Sequence, residues 1–264
     1  MPRRTWWREG TPSRIDLRTT DREAAMAFYG GLFGWEFKDR DLNELEFKDS
    51  VTPEAPGHTI AMHHGGVVAG IVEAGGASPA WWTYLAVDDI EAAAAKVEAA
   101  GGSLLMPPGD GVGAERTALA VDPTGALVGL CARGEGAEGI VVNEPGAYTW
   151  SELMTGDRDT ALAFHREVFG LTVRVVDLGG SPFTGLVAGE DMVGGVIPLQ
   201  RERAVARWIV YFAVTDVEET AARAEALGGS VVHGPIDTPV GPLAALRDPQ
   251  GAAFSVWAVN LPAR

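Results

Sequence analysis

Asp21-Arg22-Glu23-Ala24-Ala25-Met26-Ala27-Phe28-Tyr29-Gly30-Gly31-Leu32-Phe33-Gly34-Trp35 decides the fold, because it comes back as Asp157-Arg158-Asp159-Thr160-Ala161-Leu162-Ala163-Phe164-His165-Arg166-Glu167-Val168-Phe169-Gly170-Leu171. Each copy opens on a capping Asp, runs through an alanine-rich helix and stops at Phe-Gly. Ala25, Phe28, Tyr29 and Leu32 form an apolar stripe at helical spacing. Thr20 with Glu23 fits a capping box, with Thr20 or Asp21 as the cap. Gly30, Gly31 and Gly34 are the expected stop signals. An alternating strand precedes each copy, Arg14 to Thr19 and then Tyr148 to Leu153.

Outward from the repeated helix, short strands are expected at 35–40, 45–48, 58–63 and 67–72. The order restarts with a strand at Trp81 to Val87 and a helix from Asp88 or Asp89 to Ala100. Strands near 103–106, 116–121 and 126–131 follow, the last two joined by the turn Asp122-Pro123-Thr124-Gly125. In the second half, Trp208 to Val214, Asp216 to Leu227 and Asp248-Pro249-Gln250-Gly251 answer these features. The chain is therefore α+β, with four β-α-β-β-β modules paired into two domains, 12–133 and 146–261, joined by a linker at 134–145. One module has a sheet face that it cannot bury alone. Two together make a curved mixed sheet around a cleft, with helices outside.

Bulk chemistry narrows the partners. The chain has 264 residues, 46% hydrophobic and 22% charged, with a formal charge of −15. Such an acidic surface disfavours nucleic acid and anionic membranes. The single cysteine, Cys131, rules out an intrachain disulfide and cysteine metal clusters. No long apolar run suggests a membrane span or signal peptide, so a cytoplasmic protein is expected.

Alternation assigns the strand faces. Ile15 and Leu17 should pack on the helix, which turns Arg14, Asp16 and Arg18 into the first cleft with Trp82 and Tyr84. The second cleft should receive Trp150, Glu152 and Met154, with Tyr211, Ser255 and Trp257. Aromatic walls with a few polar groups suit a flat organic ligand. Glu152, among apolar neighbours, should have a raised pKa and is the first candidate for acid–base work. Asp16, paired with arginine, is the second. Arg14, Arg18, Trp82, Tyr84, Trp150, Met154, Tyr211, Ser255 and Trp257 are the candidate ligand contacts. Adjacent His63 and His64 point to opposite faces and cannot easily share an ion. His165 stands where Tyr29 stands in the first copy and should pack the helix. No phosphate loop or nucleophile elbow occurs, and Cys131 should be an inert buried thiol.

The helix with its Phe-Gly stop, the strands Tyr84-Leu85-Ala86-Val87-Asp88-Asp89 and Tyr211-Phe212-Ala213-Val214-Thr215-Asp216, and the two Asp-Pro-x-Gly turns together resemble the vicinal oxygen chelate superfamily of glyoxalase I, bleomycin-resistance proteins and extradiol dioxygenases. The tandem layout is similar to actinobacterial two-domain proteins labelled glyoxalase-like or hydroxylase, some from aromatic polyketide pathways. The resemblance implies metal-ligand positions that here hold Arg14, Trp82 and Gly129 in the first domain, and Trp150, Ile209 and Ser255 in the second. None is a usual metal ligand, so no metal and no cofactor are expected. Binding of a small planar or aromatic metabolite follows, in a resistance, sequestration or carrier role. The alternative is a metal-independent enzyme acting by acid–base chemistry on a polyketide-like substrate. Metal-dependent glyoxalase or dioxygenase activity ranks below both. The duplication allows a monomer, with a homodimer as the other arrangement.

Overall fold

The computed structural model describes residues 3–4, 7–39, 58–73, 78–111, 115–134, 139–199 and 204–258. The strand expected at 45–48 lies outside the described residues. After β1 (Arg3–Arg4), the first module comprises β2 (Pro12–Thr19), α1 (Arg22–Phe33), β3 (Glu36–Asp39), β4 (His58–His63) and β5 (Gly66–Glu73). The second comprises β6 (Ala80–Ala86), α2 (Ile90–Ala99), β7 (Ser103–Asp110), β8 (Glu115–Val121) and β9 (Leu127–Arg133). β10 (Ile140–Val141) precedes the third, which holds β11 (Tyr148–Thr155), α3 (Arg158–Phe169), β12 (Thr172–Leu178), β13 (Ser181–Ala188) and β14 (Asp191–Pro198). The fourth holds β15 (Arg207–Ala213), α4 (Val217–Ala226), β16 (Ser230–Ile236), β17 (Leu243–Arg247) and β18 (Ala253–Trp257). No helix among the described residues is long and apolar enough to cross a membrane.

The four helices among the described residues start the same way. Asp21, Asp89, Asp157 and Asp216 each accept a hydrogen bond from the backbone N–H three residues on. Asp21 is thus the cap, and the capping box expected between Thr20 and Glu23 is displaced by it. Gly34 and Gly170 stop α1 and α3 in the left-handed region, at φ 73° and 64°. Gly30 and Gly31 do not stop α1. They lie inside it, where a Cβ on Gly30 would meet the Phe37 ring and one on Gly31 would meet Leu227.

Modules one and two share one sheet, with the path β1-β10-β5-β2-β6-β9-β8-β7 and with β4 and β3 branching from β5. Modules three and four share the other, ordered β12-β13-β14-β11-β15-β18-β17-β16. In each sheet the first strands of the two modules lie side by side and antiparallel, β2 on β6 and β11 on β15. β10 pairs with β5 and β1, so part of the segment expected to be a linker is woven into the first sheet.

The helices lie outside both clefts, on the convex faces, and there they meet across the two halves. One core joins Ile15, Leu17, Phe28, Tyr29 and Phe33 of module one to Phe212, Val217, Ala221, Leu246 and Phe254 of module four. The other joins Leu85, Ile90, Val97 and Leu130 of module two to Leu153, Phe164, Val168 and Phe169 of module three, with Trp208 of module four at its edge. Where the sheets meet back to back, Thr83 and Ser151 share a buried hydrogen bond of 3.2 Å. A buried relay crosses the first core. The Trp81 indole donates to the Tyr29 hydroxyl at 2.9 Å, and that hydroxyl donates to Asp248 Oδ2 at 3.0 Å.

Candidate functional site

Cross-strand register brings the first cleft's residues together. Arg14 pairs with Tyr84, Asp16 with Trp82 and Tyr84 with Gly129. Arg14 Nε lies 2.8 Å from Asp16 Oδ1, and Arg14 Nη1 lies 2.7 Å from Glu115 Oε2. Glu115 also holds Arg133 at 2.6 Å, and the remaining Arg14 nitrogen donates to His58 Nε2 at 3.1 Å. Desolvation opposes the Arg14 charge, but Asp16 and Glu115 outweigh it and raise the guanidinium pKa. Burial alone would raise Asp16. Arg14, His58 and hydrogen bonds from Arg14 and Tyr84 hold it below its ordinary range instead.

Little of this cleft is open. The Tyr84 ring fills the space over Gly129, where a Cβ would clash with it. Asp16 and His58 likewise fill the space over Gly70. Arg18 does not pair with Asp16. It stacks on Trp82, 4.5 Å from the ring centroid. With Arg14 already holding two carboxylates, the cleft is a self-neutralised plug of charges around Tyr84.

The second cleft has the same register and opposite chemistry. Trp150 pairs with Tyr211, Glu152 with Ile209, and Tyr211 with Ser255. Met154, Ile209 and Tyr211 form an apolar cluster with Trp150, Ile197, Leu199 and Trp257 around them. The Trp257 indole N–H donates to Val240 O at 3.0 Å, which fixes its ring. Glu152 stands in this wall with the Tyr211 hydroxyl donating to Oε2 at 2.5 Å. Burial pushes the Glu152 carboxyl above its ordinary value, against hydrogen bonds from Tyr211 and Trp150. Burial and the neighbouring Glu152 push the Tyr211 phenol up as well. Among the described residues no guanidinium pairs with Glu152 as Arg14 pairs with Asp16, so its proton is held more tightly.

His63 and His165 fall away from the clefts, whereas Cys131 packs with Tyr84 beneath the first. His63 Nε2 contacts Pro145 O at 3.0 Å, on the opposite side of β4 from His58. His165 is buried in the second core among Phe164, Phe169 and Trp208. Cys131 is fully buried, and desolvation pushes its thiol up to about 12. Sequence reading missed His58, Glu115 and Arg133 as cleft-one residues. Their strands offer no local signal, because the partner of each lies far away in the chain.

The repeated architecture is matched by known proteins. The model of the Glyoxalase/Bleomycin resistance protein/Dioxygenase superfamily matches this chain twice, over residues 11–130 and 146–256. The chain belongs to that superfamily. It is similar to the Mycobacterium tuberculosis protein named "Putative glyoxylase CFP32", 41% identical with 97% of each chain covered. It is also similar to the anthracycline biosynthesis protein DnrV of Streptomyces peucetius, 36% identical over 94% of this chain and 92% of that one. The fold is that of the Mn(II)-bound glyoxalase from Novosphingobium aromaticivorans, with TM-score 0.65, 17% identity and coverage of 96% of this chain and 83% of the other. The 2,3-dioxygenase LapB from Pseudomonas sp. KL28 superposes with TM-score 0.64 at 18% identity, covering 96% and 95%.

The Novosphingobium glyoxalase holds Mn(II), whereas the clefts of this chain present a different donor set. Among the described residues no three His, Cys, Asp or Glu side chains converge as a metal set. In the first cleft the guanidinium of Arg14 and the ring of Tyr84 occupy the middle, and a cation beside Arg14 would be repelled. In the second, Glu152 is the lone carboxylate among Trp150, Ile209 and Ser255. These donors do not fit a resident divalent ion.

Proposed function

We propose that this superfamily member binds a small planar, aromatic metabolite in its second cleft, with no metal holding it. The aromatic wall of Trp150, Tyr211 and Trp257 around a single buried carboxyl carries this reading. Flat rings stack on such side chains, and the Glu152–Tyr211 pair offers one polar anchor for a ligand hydroxyl or carbonyl. The relatives named for anthracycline biosynthesis support it, since an anthracycline is a fused polycyclic aromatic. Sequestration or carriage needs no more than this.

One observation favours a second reading, metal-independent proton transfer. A carboxyl lifted by burial and held by a phenol at 2.5 Å is placed to give or take a proton. In that reaction Glu152 Oε2 would exchange a proton with the ligand, while the Tyr211 hydroxyl steadies the carboxylate. The test separates the two. Glu152→Gln leaves ligand affinity within about threefold in both readings but abolishes turnover only in the second. Trp150→Ala weakens binding at least tenfold in both. Unchanged affinity of Trp150→Ala for polycyclic aromatics, read by calorimetry, would sink the cleft-two assignment. The two halves already cover each other's helices, so a single chain should suffice, and sedimentation should report a monomer.

A further inference from the structure

We infer that the open end of the second cleft is an anion seat, so its ligand is a flat apolar acid. This rests on the cleft-two reading and extends it to the ligand's charge. In the register of β11 on β15, Arg207 lies opposite Met154, which places it on the same concave face as Glu152 and Tyr211. In the register of β17 on β18, Arg247 lies opposite Ala253, on the face of Ser255 and Trp257. The two arginines are close enough to repel. Partial burial and then Arg247 pull the Arg207 pKa below its ordinary value.

Among the described residues neither arginine makes a salt bridge, and Arg207 has only the Val205 carbonyl, at 3.3 Å. A cavity of about 600 Å³ opens beside them, walled by Met154, Ile209, Val232 and Ala253 and by Trp82 and Leu127 of the first domain. No Asp or Glu is among its described lining residues, in a chain of net charge −15. Two like charges over an apolar floor are satisfied by an anion, and a guanidinium fork matches a carboxylate. Arg207 stands two residues before Ile209, the partner of Glu152, so the seat is about 7 Å along the strand from the acid. A ring system can span that gap, with its carboxylate at the arginines and its polar atom at Glu152–Tyr211.

The experiment uses 2-naphthoate and its neutral analogue 2-naphthamide, titrated calorimetrically into the full chain and into the Arg207→Gln/Arg247→Gln variant. Both arginines are exposed, so the variant keeps its fold. The seat predicts about tenfold tighter binding of the acid than of the amide, lost with added salt and lost in the variant, while the amide is unaffected. Equal binding of acid and amide, or a variant that keeps the preference, overturns the seat and leaves the cleft-two reading standing. Binding that survives Trp150→Ala, or no binding of either probe, overturns the cleft-two reading and the seat with it.

The second core holds a set of buried polar atoms of its own. By the repeat, His165, Trp208 and Asp122 stand where Tyr29, Trp81 and Asp248 make the buried relay. Yet His165 Nε2, Trp208 Nε1 and Asp122 Oδ2 are all buried without a hydrogen-bond partner. The rings keep the first core's geometry: His165 meets Trp208 edge-on at 5.5 Å, as Tyr29 meets Trp81 at 5.3 Å. Imidazole lacks the reach of a phenol. We propose that one internal water takes the place of the Tyr29 hydroxyl. The donor count closes. His165 Nδ1 donates to Ala161 O at 2.9 Å, so Nε2 of the neutral ring accepts. The water would then receive the Trp208 indole N–H and give its two protons to His165 Nε2 and Asp122 Oδ2. A high-resolution crystal structure should show one ordered water within reach of all three atoms, and His165→Tyr should replace it with a hydroxyl. A wild-type map with no water there, or with His165 bonded directly to Asp122, overturns the proposal whether or not the variant folds.

Discussion

Glu152 and Asp16 stand two residues past Trp150 and Arg14, the repeat-equivalent positions in β11 and β2, and their surroundings push them in opposite directions. Asp16 sits below its ordinary value of 3.8, so its pairing stabilises the fold above that pH and fails as the pH drops toward the folded value. Glu152 sits above its ordinary 4.5, so the fold is favoured below that pH and loses stability as the pH rises toward the folded value. Glu152→Gln should therefore melt with wild type at pH 4 and increasingly above it toward neutral pH, read by thermal denaturation across the range. Asp16→Asn leaves Arg14 half-paired in a buried network and should cost about 3–5 kcal/mol in denaturant unfolding at pH 7. If that variant unfolds within 1 kcal/mol of wild type, the plug is ornamental. Both carboxyls were legible from alternation, because period two fixes a face without knowing the partner. Glu115, Arg133 and Arg207 were not, since what gives them meaning is a strand brought alongside from elsewhere in the chain.

Between elements, the helices of one half meet the other in close fits at two glycines. A Cβ on Gly102, just after α2, would lie 2.7 Å from the Phe164 ring and 2.8 Å from Val121 O. A Cβ on Gly229, just after α4, would lie 2.9 Å from Phe28 and 2.6 Å from Arg247 O. The two positions are equivalent in the repeat, and in each an obstacle is backbone. Gly102→Ala and Gly229→Ala should each destabilise by about 1–3 kcal/mol, read in denaturant unfolding. Gly180→Ala, which meets no atom, tests only its positive φ of 89°. The glycines that follow the helices were legible as stop signals. That they also admit an aromatic ring from the other half was not, because sequence periodicity says nothing about distant packing. The same blindness placed Gly30 and Gly31 at the end of α1, whereas they make room for Phe37 and Leu227.

At the scale of the whole molecule, the sheets join modules one to two and three to four, while the two cores join one to four and two to three. The four modules form a closed ring of contacts. Neither half owns a complete core, so the chain should unfold in a single calorimetric transition, and Tyr29→Phe should lower the melting of both halves together. Two separated transitions would show that the cores are independent. The duplication, the module order and the existence of two clefts were all legible, because repeats are a property of sequence alone. That long-range ion pairs would fill the first cleft was not. Nor was it legible that the convex faces would cover each other.

The unequal clefts have a genetic consequence. In a symmetric dimer of identical chains, one codon writes both clefts, and any substitution that fills one fills the other. A ring built from a single fused chain has separate codons for each. Arg14 and Trp150 occupy the same place in the repeat, as do Tyr29 and His165. The first cleft is a rivet of ion pairs, its repeat partner carries a wall of Trp150, Tyr211 and Trp257, and a single gene encodes both.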